Sequence, residues 1–154
     1  MIDKADIITV ISKAVLIGTG IVFGTNILCL AIGYILTKDK PAGSDIGLIT
    51  AILAIVGIID LIFGFVLKAR LLKPLFDQSN PPDEEALWKV SLRTIIVISA
   101  ICAALPIYGL VSLLIDGNIN TLVGFAIASL AGFMLLRLRP RDFRKLEILN
   151  HLGS

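Results

Sequence analysis

The stretch Val56–Phe65, VGIIDLIFGF, sets a single carboxylate, Asp60, inside an apolar run that extends over residues 46–67. A run of that length matches the roughly 20 helical residues needed to cross a hydrocarbon core of ~30 Å. Three further runs of the same kind occupy about 7–36, 94–115 and 119–136. Together they explain why the chain is 56% hydrophobic, above the ~45–50% of soluble domains, with a mean hydropathy of +0.94. Lipid offers no partner to an unpaired backbone group, so each run is expected to be a helix. A membrane barrel would need alternating segments of about 10 residues, and these runs are continuous and aliphatic. The predicted fold is therefore all-α: an integral membrane four-helix bundle, one domain over 1–154, built from two helical hairpins. A connection at 68–93 and a basic tail at 137–154 complete it. The first run is about twice as long as the core of a signal peptide and is preceded by Asp3 and Asp6, which predicts a retained helix.

The basic residues set the expected orientation. Of 14 Lys and Arg, all but Lys38 and Lys40 fall before or at the start of the first run, in the second connection or in the tail. Positive residues collect on the cytoplasmic side, so both termini and the connection 68–93 are expected inside the cell. This reading places the chain in the cell inner (cytoplasmic) membrane. The tail LRLRPRDFRKLEIL reads either as ordinary positive-inside flanking or as an anchor for anionic headgroups. In the middle connection, Asn80 is the expected cap of helix 3, with Pro81 in its first turn followed by Asp83, Glu84 and Glu85. Trp88 is expected at the membrane interface.

Small residues recur at a spacing that puts them on one helix face. Gly20 and Gly24 form GxxxG; Ala100 and Ala104 repeat it in helix 3, and Gly124, Ala128 and Gly132 extend it in helix 4. Such faces let backbones approach closely in lipid. Helices 1 and 3 also superpose at an offset of 80, with Lys13 on Arg93, Thr19 on Ser99, and Gly20 and Gly24 on Ala100 and Ala104. The match fits either a duplicated hairpin or the chance agreement of apolar helices.

Asp60 lies roughly 11 Å from the inner edge of its run by helical rise. A carboxylate near the bilayer centre costs about 2.5–3.5 kcal/mol on insertion scales and generally faces the bundle. Gly57 and Gly64 share its side of the helix, and Thr19, Ser99 and Ser129 are expected at its depth. Two readings follow. Asp60 is a structural group, hydrogen-bonded across helices or paired with Lys13 or Arg93; or it is a proton or cation site together with Thr19, Ser99 and Ser129. Asn26 reads as a helix–helix hydrogen-bonder, and Pro106 removes one backbone bond from helix 3. Tyr108 either bonds near that proline or packs. Cys29 and Cys102 read as small buried hydrophobes, and with His151 they cannot build the usual zinc site.

The segment Ser99–Leu114, SAICAALPIYGLVSLL, resembles the carboxyl-bearing helix of rotary ATP synthase c subunits through Ala103-Ala104-Leu105-Pro106-Ile107. Ala103 stands where that family carries its carboxylate, and the loops here are expected outside rather than inside. The whole layout also resembles a loose group of small bacterial four-helix membrane proteins. It shares with them paired hairpins, an acidic start to helix 3, a PIYGLV-like helix and an Arg139-Pro140-Arg141 tail. That resemblance implies architecture. No Ser/His/Asp set, phosphate loop or metal cluster is present, so neither enzyme activity nor a cofactor is expected. The expected role is a structural or interaction subunit, packed with itself or with other membrane subunits in lipid and without nucleic acid. The alternative is a proton- or cation-translocating subunit using Asp60.

Overall fold

A computed structural model describes residues 4–38, 47–76 and 83–143. Its element order is α1 (Lys4–Thr37), α2 (Leu48–Phe76), α3 (Glu84–Asp116), α4 (Ile119–Leu136) and a short 3₁₀ turn at Pro140–Phe143. All four α-helices are long and apolar enough to cross a membrane. No strand occurs among the described residues.

The helix ends follow from local chemistry. Helix α3 starts at Asp83 rather than at the expected Asn80, which lies outside the described residues with Pro81. The Asp83 carboxylate accepts the Ala86 N–H at 2.7 Å, satisfying one of the orphan donors of the first turn. Its other end closes on Gly117 at φ 69°, whose N–H bonds Leu113 O at 2.9 Å. Only glycine adopts that left-handed cap without a Cβ penalty. Asn118 then caps α4 through the Asn120 N–H, so one residue pair turns the chain. Helix α2 continues beyond the apolar run, through Pro74 to Phe76. Most of the segment expected as a polar connection is thus helical, with α2 and α3 both extending past their apolar runs.

Helix α3 is the centre of the bundle. It packs on α1, α2 and α4, and α4 also lies against α1 and, less extensively, α2. Consecutive helices run antiparallel, so α1 and α3 run parallel, with Gly18 against Ile95 and Ser99 and Gly33 beside Leu113. Helices α3 and α4 pack on one another, whereas α1 and α2 share no comparable contact among the described residues and each packs on α3. Where both core and surroundings are apolar, nothing drives sequence neighbours together, and the tighter steric fit to α3 prevails.

The main core runs toward the end that gathers the basic residues. It includes Ile7, Val10 and Ile11 of α1, Leu72 and Leu75 of α2, Leu87 of α3, and Leu138 and Phe143 of the tail. The beginning of the tail is therefore part of the core. Lys68 pairs with Asp142 at 2.7 Å and donates to Arg137 O at 3.2 Å, while the Arg139 N–H bonds Asp142 Oδ2 at 2.9 Å. The start of the basic flank is thus tethered over 137–143; Arg144 and Lys145 lie outside the described residues.

Candidate functional site

Asp60 is half-buried on α2. Its carboxylate accepts a hydrogen bond from the Tyr108 hydroxyl of α3 at 2.8 Å. Among the described residues neither Lys13 nor Arg93 pairs with it. Lys13 instead lines a 450 Å³ cavity at the basic end with Val10, Glu84, Glu85 and Trp88, and Arg93 is exposed. Trp88 also packs against the core.

The flank on which Asp60 sits follows from helical geometry. Leu61 lies against Gly132 of α4. Together with Gly57, Gly124, Phe125 and Ala128, it lines an apolar groove of 300 Å³ between α2 and α4. Asp60 precedes Leu61 by one residue, about 100° around the helix. Its bond to Tyr108 sets it beside α3.

The other residues expected at this site are engaged elsewhere. Thr19 bonds back to Val15 O at 2.8 Å. Ser99 is fully buried over Gly18, and its hydroxyl has no hydrogen-bond partner among the described residues. Ser129 belongs to a different centre, which Pro106 creates. Helix α3 passes through Pro106 without interruption, and the missing N–H leaves the carbonyl four residues earlier, that of Cys102, without its helical donor. The Ser129 hydroxyl of α4 donates to this carbonyl at 2.7 Å. Ser129 in turn accepts from Asn26 Nδ2 of α1 at 3.0 Å, and Asn26 Nδ2 also reaches Val22 O at 2.8 Å. One proline-made vacancy thus ties α1, α3 and α4 together in the middle of the bundle. Asn26, Cys102 and Ser129 are all buried.

A second polar cluster closes the opposite end of the bundle from the basic residues. Thr50 of α2 donates to Asp116 of α3 and hydrogen-bonds Ser112. Gly47, just before α2, lies against the Asp116 carboxylate, so a side chain there would meet it. An acid beside the N-terminus of α2 is favourably placed relative to the helix dipole.

The small residues divide into two groups. Gly57, Gly64 and Gly132 sit in contacts between helices, against Leu105, Leu136 and Leu61. Gly20, Gly24 and Gly124 face open space; Ala100 is exposed, and Ala104 and Ala128 are half-buried. On α1 the close approaches fall on Gly18 and Gly33 instead. Tyr108 as the partner of Asp60, the Thr50–Ser112–Asp116 cluster and the Lys68–Asp142 pair were not legible from spacing. Their members are far apart in the chain, and only Pro106 announced a missing donor.

The central network yields a direct test. Ser129→Ala removes the donor to Cys102 O and the acceptor of Asn26, and should cost about 1–2 kcal/mol, the upper range for such bonds within membranes. Adding Pro106→Ala restores an N–H to the Cys102 carbonyl. The double variant should therefore unfold later than Ser129→Ala in a detergent–dodecyl sulfate titration; equal midpoints would show that the carbonyl does not need the hydroxyl.

No cluster of three or more His, Cys, Asp or Glu side chains suited to a metal occurs among the described residues. The chain matches no family model, and no curated protein and no solved structure matches it.

Proposed function

We propose that the chain is a multi-pass structural or interaction subunit of the cell inner (cytoplasmic) membrane, self-assembling or part of a larger membrane complex. The basic end, with both termini, faces the cytoplasm in this reading, as the distribution of Lys and Arg requires. The observation that carries it is how the intramembrane polar groups are used. Asn26 and Ser129 answer a backbone carbonyl, Thr50 and Ser112 join an end cluster, and Thr19 bonds within its own turn. These groups hold helices together and form no row of ligands leading to Asp60. A subunit that other proteins grip needs such internal ties, because lipid gives helices no hydrophobic reason to stay together.

Extraction in a mild detergent tests the assignment. A stoichiometric partner or a defined homo-oligomer is the expected result, and a monomer alone would count against it. The translocation reading depends on Asp60 and predicts proton or sodium flux in vesicles that Asp60→Asn abolishes. Our expectation is background flux for both forms.

A further inference from the structure

The docked start of the basic tail closes a small cavity. It measures 180 Å³ and lies between the opening turns of α1 and the chain that leaves α4. Ser12 and Val15 line one side, and Arg137, Leu138 and Arg139 line the other. The described residues around it include two arginines and no acid. Asp142, the acid of the same turn, is already held by Lys68 and the Arg139 N–H.

The polar groups at the cavity are incompletely bonded. Arg139 Nη2 donates to Met134 O at 3.0 Å, which fixes the guanidinium at the end of α4. Its Nε is buried and finds no acceptor among the described residues. The Arg137 guanidinium and the Ser12 hydroxyl form no hydrogen bond or ion pair among them. The last carbonyls of α4 bring about half a negative charge, which two guanidinium groups outweigh. Ile8, Ser12 and Leu16 are all exposed and follow one another at four-residue steps, so one face of α1 leads from the cavity into the apolar span.

We propose that this cavity binds the phosphate of an anionic phospholipid. Arginine forks take phosphate oxygens in pairs, and basic pockets between helices on the cytoplasmic side recognise anionic headgroups. Arg137 supplies the uncommitted fork, Ser12 a hydroxyl donor and Arg139 a fixed second charge. The acyl chains then lie over Leu16, a surface that a soluble phosphate would leave bare. Docking of the tail turns the diffuse attraction of a basic flank into a site with two walls. The inference goes beyond the subunit reading and needs only that the four helices span lipid.

The test is native mass spectrometry of the full chain in mild detergent, titrated with phosphatidylglycerol or with phosphatidylcholine, whose choline charge cancels its phosphate. Phosphatidylglycerol should bind roughly thirtyfold more tightly, the combined effect of two basic groups at a membrane surface. Arg137→Gln should remove most of this preference. Ser12→Phe, which fills the cavity and keeps both charges, should remove it too. Arg93→Gln deletes an exposed charge at the same end but outside the cavity, and should leave the preference intact. Inorganic phosphate in large excess should not displace the lipid. Equal binding of the two lipids would overturn the proposal, as would a preference that survives Ser12→Phe. A loss with Arg93→Gln equal to that with Arg137→Gln would overturn it in favour of diffuse attraction, and displacement by inorganic phosphate in favour of a soluble anion. A chain that extracts only as a monomer yet still prefers phosphatidylglycerol would remove the subunit reading and leave this one standing.

Discussion

Phe143→Ala should destabilise the bundle by about 3–5 kcal/mol, the usual cost of deleting a fully buried aromatic side chain. Phe143 is 0% exposed and joins the core formed by Ile7, Val10, Ile11, Leu72, Leu75 and Leu87. This part of the core lies at the basic end, where on the proposed orientation the opened tail meets water rather than lipid. The transfer term of the hydrophobic effect therefore applies in full, and the cavity left behind adds to it. The loss has a local signature. Without Phe143 the turn at Pro140–Phe143 is held by the Lys68–Asp142 pair and its neighbouring hydrogen bonds. Once the tail loosens, that pair opens to water, where ion pairs contribute little on their own. Trypsin should then cut after Arg137, whose side chain is half-buried in the intact protein, many times faster than in the parent chain. Unchanged melting and unchanged cleavage would show that the tail is not docked.

The second large effect is expected at Gly109, where α3 and α4 approach closely. A β-carbon there would lie 2.8 Å from Phe125 Cβ and 3.0 Å from Leu122 Cα. A backbone atom cannot turn aside as the end of a leucine can, so the helices must separate. Gly109→Val should cost about 3 kcal/mol, the upper end of overpacking penalties, measured by the midpoint of unfolding in dodecyl sulfate. The contrast with other glycines makes the test specific. A β-carbon on Gly57 would meet Leu105 Cδ2 at 2.6 Å and one on Gly132 would meet Leu61 Cδ2 at 2.5 Å, both flexible tips that can give way. Gly20 and Gly24 have nothing near them, so alanine there should leave the single chain unharmed or slightly stabilised through helix propensity. If Gly20→Ala and Gly24→Ala proved as damaging as Gly109→Val, the GxxxG face would be covered by another chain.

Much of the bundle is a local consequence of composition. An apolar run of spanning length must satisfy its own backbone, so four helices follow from four runs whatever their neighbours. The caps at Asp83 and Gly117 are equally local, and Pro106 states in the sequence that one carbonyl will lack its helical donor. What the sequence could not convey is which side chain answers that carbonyl. Ser129 does so because α4 lies antiparallel to α3 in one register, and a small change in register would have offered it an alanine or a leucine instead.

The faces of the helices were hidden for a related reason. In water, polar residues mark the outside of a helix. In lipid the outside is as apolar as the core, so hydrophobic spacing does not tell Gly18 and Gly33, which pack, from Gly20 and Gly24, which do not. The position of Asp60 was visible as a charge among aliphatic residues. Its bond to Tyr108 exists only because α2 packs antiparallel on α3. Sequence alone determined the number of helices and the gathering of charge at their ends, since each depends on neighbouring residues and the solvent. Tertiary structure decided the pairing of helices and the company each polar group keeps, because steric fit between whole surfaces sets both.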